Sequence, residues 1–181
     1  MIPISKKSKF SKRLFSILFS LVFVLALSVP AFAKTSGQYL DTTAAYSEMN
    51  QFRTSNQAWY YNPDGSVNNQ VGKLQPIKRD ARLEQTAQIR AKEIAQSFSH
   101  TRPNGQSCFT AYPSDLTAKG ENIAAGQTSA QEVINDWKET NNPYNGQGHR
   151  RNMLSSKFNA VGIACYVQNG TYYWVQSFGR V

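Results

Sequence analysis

The sequence predicts an α+β domain in which helices cover an antiparallel sheet. Three observations carry this. Several stretches place apolar residues at helical spacing behind recognisable caps, and two alternating segments flank an Asn-Gly turn near the end. The span from Lys34 to Val181 also suits one ordinary domain, long enough to bury a core without metal or multiple disulfides, and no internal repeat or low-complexity linker divides it.

Residues 1–33 read as a leader outside that fold. Lys6, Lys7, Lys9, Lys12 and Arg13 precede an apolar run from Leu14 to Val29, and Pro30-Ala31-Phe32-Ala33 supplies the small-x-small ending of a signal peptide, with cleavage expected after Ala33. The run is short for a membrane span and no stop-transfer pattern follows it, so a secreted, extracellular protein without stable membrane insertion is expected. No lipid or wall anchor is indicated. Taking those five cations from a formal charge of +9 leaves +4, with Lys and Arg scattered rather than striped; nucleic-acid binding has little support.

After a short extension, residues 34–42, the first helix is expected from Thr43 to Thr54, where Ala45, Met49 and Phe52 recur on one face behind the capping candidates Asp41, Thr42 and Thr43. Asn62-Pro63-Asp64-Gly65 marks a turn. A stronger helix starts at Asp80 as N-cap and runs to about Ser97, with Leu83, Ala87, Ala91, Ile94 and Ala95 on its apolar stripe. His100 falls just past it, before the turn residues Pro103, Asn104 and Gly105. Gly120-Glu121-Asn122-Ile123-Ala124 reads as a further turn-rich stretch. Ser129-Ala130-Gln131-Glu132 is a capping box opening a third helix that buries Ala130, Val133, Ile134 and Trp137 and turns Glu139 away from that centre. His149 then starts a short helical turn whose Met153 and Leu154 pack inward.

From Val161 the chain alternates through Ile163, Cys165 and Val167, turns at Asn169-Gly170 and returns through Tyr172, Trp174 and Phe178. A type I′ turn there sets Val167 opposite Tyr172 and Cys165 opposite Trp174 in a hairpin. Cys108 and Cys165, an even pair in an exported chain, read as a disulfide; closing that loop would contribute roughly 4 kcal/mol in the chain-entropy view.

The chemistry is sought at His100 and His149, the only two histidines, together with Glu121 and Glu139. Imidazole titrates near neutrality, and a neighbouring carboxylate orients its ring or shares a metal. The gaps between the four are long and irregular, so their convergence is a matter for the fold. Each histidine taken singly also suits a structural role pinning a loop, Glu121 suits capping of its own loop, and Asn122 suits bridging of turn amides.

These blocks resemble the CAP superfamily of cysteine-rich secretory (SCP) domains. Phe98-Ser99-His100, Gly120-Glu121-Asn122-Ile123-Ala124, Trp137-Lys138-Glu139, Gly148 to Leu154 and Val161-Gly162-Ile163 match its ordered motifs, and the similarity spans roughly Ala44 to Phe178. The resemblance implies a CAP domain over residues 43–181, folded as a three-layer α-β-α sandwich with a central antiparallel sheet. It also implies a cleft tetrad of His100, Glu121, Glu139 and His149, in which His100 and His149, with Glu121 as a third candidate, hold Zn2+ or another divalent cation. One cysteine pair and no appended cysteine-rich module set the chain apart from eukaryotic members.

Three function classes follow. The favoured one is a secreted binding module whose cleft takes a small molecule, a lipid or an envelope glycan, with or without metal. The second is a hydrolase acting on envelope or peptide substrates, with Glu121 and Glu139 as acid and base or with a metal-bound water; no activated serine or free-cysteine nucleophile is evident. The third is an adhesive surface protein offering Tyr39, Tyr60 and Tyr61.

Overall fold

A computed structural model describes residues 37–181; the leader, its cleavage point and residues 34–36 of the extension lie outside the described residues. In chain order these are β1 (Gln38–Leu40), α1 (Thr43–Thr54), β2 (Trp59–Tyr61), β3 (Val67–Asn69), β4 (Lys78–Arg79), α2 (Ala81–Gln96), a 3₁₀ turn (Cys108–Ala111) and β5 (Lys119–Ala125). Then come α3 (Ala130–Lys138), a second 3₁₀ turn (Tyr144–Gly146), α4 (Gly148–Met153), β6 (Ala160–Gln168) and β7 (Thr171–Gly179). The main sheet runs β1-β6-β7-β5, with β4 added beside the start of β6, and β2 and β3 form a separate ribbon.

The layers follow from which apolar stripe meets which sheet face. Ala87, Ala91 and Ile94 of α2 pack on Ile123, Ala164, Tyr166 and Val175. On the opposite face, Met49 and Phe52 of α1, Ile134 and Trp137 of α3 and Met153 of α4 pack with Ile163, Cys165 and Trp174. The result is the α-β-α sandwich. A fully buried side chain such as Leu83 or Ile134 contributes about 1.5–3 kcal/mol relative to exposure.

Local chemistry places the helix starts. The Asp80 carboxylate accepts from the Arg82 and Leu83 amides at 2.9 and 3.2 Å, as its N-cap position predicts. Thr42 caps α1 without a side-chain bond, while Asp41 Oδ1 accepts from the Thr43 amide at 2.9 Å. At α3 the Ser129 hydroxyl accepts from the Glu132 amide at 3.2 Å, but the returning bond goes to the Thr128 amide at 2.7 Å instead of that of Ser129. The capping box is thus displaced by one residue on its acidic side. The hairpin has the expected register, Val167 with Tyr172 and Cys165 with Trp174, and both turn residues adopt left-handed φ, 52° at Asn169 and 77° at Gly170.

The main sheet is antiparallel as expected, and the two-residue β4 adds a short parallel pairing to β6 through Lys78 and Arg79. Two expectations are corrected. The Gly120 to Ala124 stretch is a strand, paired from Lys119 to Ala125 with β7; pairing on one edge and burial override the weak strand preference of Gly, Glu and Asn. Cys108 and Cys165 are free and buried. Cys165 faces the α1 and α3 side of β6, whereas the turn carrying Cys108 packs beside α2 and β5, so the sheet stands between the two sulfurs. Burial pushes the Cys165 thiol up to about 12.

At Gly162 the backbone of α2 rests directly on β6. A Cβ there would lie 2.0–2.2 Å from backbone atoms of Leu83 and Glu84. Gly162→Ala is therefore expected to lower the unfolding free energy by about 3 kcal/mol in urea titration, because neither backbone can give way. Alkylation of the denatured chain without reductant is expected to modify Cys108 and Cys165 alike; recovery of either thiol only after reduction would contradict the arrangement.

Candidate functional site

The first half of the site begins inside α2. Arg90 lies three residues after Ala87 and four before Ile94, within the apolar stripe, and is 0% exposed. Its Nε donates to Glu121 Oε2 at 2.7 Å and its Nη2 to Glu121 Oε1 at 3.3 Å. The same guanidinium donates to Glu93 at 2.5 Å and to the Ser99 carbonyl at 2.6 Å, and Arg102 closes the far side of Glu93 at 2.7 Å. Arg90 thereby grips both Glu121 and the residue before His100.

Glu121 shares the α2 face of β5 with Ile123, as alternation requires. Its Oε1 meets His100 Nδ1 at 2.8 Å; the carboxylate side chain is 1% exposed and the imidazole 57%. Burial pushes the Glu121 carboxyl up, but the hydrogen bonds from His100 and Arg90 outweigh it and hold it below the usual carboxylate range. For His100 the contact with the Cys108 sulfur comes first and Glu121 second, and against partial burial they push it up to about 9. His100, Cys108 and Glu121 each bring one ligand atom within 4.8 Å of the others. They line a hollow of about 440 Å³ with Lys119 and with Asn152 of α4.

The second half lies where α3 ends. Glu139 takes left-handed φ, 44°, as the C-cap of α3, and this turns its carboxylate onto the start of α4. There it accepts from the His149 and Arg150 amides at 3.0 and 3.3 Å and meets His149 Nδ1 at 2.6 Å. Arg150, 0% exposed, holds this corner by donating to the Lys138 and Gln57 carbonyls at 2.6 Å each and stacking over Trp59 at 4.3 Å. Burial lowers its pKa to about 10.

Asn122 joins the halves. On the face opposite Glu121 its Nδ2 donates to the His149 carbonyl at 3.2 Å and to Gln176 Oε1 at 3.0 Å, and its Oδ1 accepts from Asn152 at 2.9 Å. The bridging role expected of Asn122 is thus found across elements instead of within a turn. The four residues singled out by sequence form two imidazole–carboxylate dyads, His100 with Glu121 and His149 with Glu139, and the compact three-residue cluster includes only the first.

Sequence reasoning missed Arg90, Arg150 and Cys108. For Arg90 the signal was a lone cation inside an apolar helical stripe; Cys108 was hidden by its assignment to a bridge. The aromatic candidates serve the fold: the Tyr39 hydroxyl donates to the Gln88 carbonyl at 2.6 Å, Tyr60 packs against the core, and Tyr61 sits edge-on to Trp59 at 5.2 Å.

The sequence model of the cysteine-rich secretory protein family, CAP, matches residues 46–178. YkwD of Bacillus subtilis is 32% identical over 110 residues, 58% of this chain and 40% of that protein, so the match spans well under two thirds of the relative. Among solved structures, an outer surface protein from Borrelia burgdorferi aligns with TM-score 0.56 at 18% identity, covering 80% of this chain and 98% of that one. NaASP2, solved with Zn2+, aligns with TM-score 0.51 at 17% identity over 75% and 79% of the two chains. At these identities the structural likeness speaks for the fold.

The raised His100 pKa has a signed consequence. The folded state holds the proton more tightly than an unfolded chain, whose histidine titrates near ~6.5, so this stabilisation is complete below that pH and is lost as pH rises through about 9. In metal-free protein the His100 ring is expected to titrate near 9 by NMR. Glu121→Gln should move that midpoint down; an unchanged midpoint would show that Glu121 does not set it.

Proposed function

The chain belongs to the cysteine-rich secretory protein family, and on that premise we propose that it works as an exported binding module whose cleft takes a small molecule, a lipid or an envelope glycan. A divalent cation, zinc foremost, is held in that cleft by His100 and His149. The observation that carries this reading is the paired use of Nδ1. Each ring commits that nitrogen to a carboxylate, at 2.8 and 2.6 Å, which leaves Nε2 as the ligating atom and fixes ring orientation. A carboxylate behind the imidazole is the usual support of a histidine ligand and raises its basicity. Nitrogen and oxygen donors suit zinc as a borderline-soft ion, whose role in such a cleft is to polarise and anchor an oxygen-bearing ligand.

The same geometry favours binding over carboxylate catalysis. A glycosidase-like acid must keep a proton near neutral pH, yet Glu121 is held in its ionised form between Arg90 and His100. Glu139 is already engaged by two backbone amides and an imidazole. Both carboxylates orient histidines. Export is supported by the predicted leader and by the outer surface protein of the same fold. No helix among the described residues is long and apolar enough to cross a membrane.

Calorimetric titration of metal-free protein with Zn2+ is expected to show one site, with His100→Ala and His149→Ala each weakening it at least about tenfold. Muropeptides, peptides and esters are expected to remain uncleaved. Robust turnover of any of them that Glu121→Gln abolishes would replace this reading with the hydrolase.

A further inference from the structure

Cys108, expected to be bridged, faces the hollow instead. Its amide donates to the His100 carbonyl at 2.8 Å, and Thr101 and Ser107 pair as an isolated β-bridge just inside that contact. The Ser107 hydroxyl accepts from the Phe109 amide at 3.3 Å to start the 3₁₀ turn. Arg102, at the base of the intervening loop, is anchored on Glu93, which Arg90 also holds. Sulfur and imidazole are therefore fixed side by side by backbone, and the ring is oriented by a carboxylate that is itself locked.

We propose that Cys108 is a metal ligand, so that this end of the cleft is a sulfur-and-nitrogen site in which Cys108 and His100 bind the cation and Glu121 steadies the ring. The proposal rests on the reading that the cleft takes a divalent ion and adds the donor that decides which ion. A tetrahedral metal with a sulfur ligand near ~2.3 Å and a nitrogen ligand near ~2.05 Å sets those atoms about 3.6 Å apart. His100, Cys108 and Glu121 each bring one ligand atom within 4.8 Å of the others, so sulfur and imidazole stand within reach of a single cation. The His100 side chain is 57% exposed, which leaves its ring room to settle on the ion. The hollow of about 440 Å³ leaves the remaining positions open to water or to ligand oxygens.

On binding, the Cys108 S–H bond breaks, its proton leaves to solvent, and the sulfur lone pair enters the metal–sulfur bond. A thiolate selects Zn2+, Co2+ and Cd2+ over Mg2+ and Ca2+, which prefer oxygen. Cys165 is the internal control: a buried thiol on the other face of the sheet, among apolar side chains.

Cobalt titration of the purified exported protein tests this. One equivalent of Co2+ is expected to produce near-ultraviolet sulfur-to-cobalt charge-transfer absorption, absent in Cys108→Ser and retained in Cys165→Ala and, at saturating cobalt, in His149→Ala. Cys108→Ser should also bind at least about tenfold more weakly. Cobalt binding without that absorption, or wild-type affinity in Cys108→Ser, would overturn sulfur ligation while leaving the two-histidine reading intact. Failure to bind Co2+ or Zn2+ at all would sink both. A second measurement needs no variant: Zn2+ is expected to slow iodoacetamide modification of Cys108 in the folded wild-type protein at least about tenfold, and Mg2+ to leave it unchanged. Equal rates with and without Zn2+ would overturn the proposal.

Discussion

The buried ion pair between Arg90 and Glu121 is the constraint on which the site depends. Both side chains are essentially without solvent, 0% and 1% exposed, and they belong to different layers, α2 and the edge strand β5. Desolvating two charges costs several kcal/mol per ion, so such a pair contributes more to position than to net stability, while deleting one partner strands the other at a cost of about 3–5 kcal/mol. Here the position matters because Arg90 also holds the Ser99 carbonyl. One guanidinium therefore sets where β5 lies against α2 and where the chain carries His100. The carboxylate that orients the imidazole is never free to wander.

The second dyad is built by a different device. Glu139 adopts a left-handed φ, an uncommon state for a residue with a Cβ, to bring its carboxylate onto the amides at the start of α4, which have no partner within the helix. The same carboxylate then meets His149 Nδ1, so one side chain caps a helix and orients a ring. Arg150 secures the corner from beneath through carbonyls of two other segments. Asn122 and Asn152 sew α4 to β5, and because Glu121 and Asn122 point to opposite faces of that strand, an edge strand becomes the meeting line of both dyads.

The free cysteines reshape the chemistry available. A bridge would have removed Cys108 from the site; its position beside His100 returns a soft donor to it. The two thiols have separate environments: one lines a hollow with titratable partners, the other sits among apolar side chains that disfavour its charged form. A leader of the kind expected at residues 1–33 makes a disulfide the ordinary expectation for such a pair, and the intervening sheet is what prevents it.

Much of the fold was legible because its signals are local. Spacing in Ala45, Met49 and Phe52, the Asp80 cap, and the Asn169-Gly170 turn each act within one or two turns of backbone, and the structure forms α1, α2 and the β6–β7 hairpin where they predict. The four candidate residues stood out through their chemistry and motif context, and the structure pairs them as two dyads. The sequence could not say how they pair, that Gly120 to Ala124 is a strand, or which way Cys108 faces. Those outcomes depend mostly on contacts across long sequence separations, such as Arg90 with Glu121 and Asn122 with Gln176, whose partners are chosen only when layers pack and buried polar groups must find one another. Local preference determined the elements, and the requirement to satisfy buried charge between them decided the site.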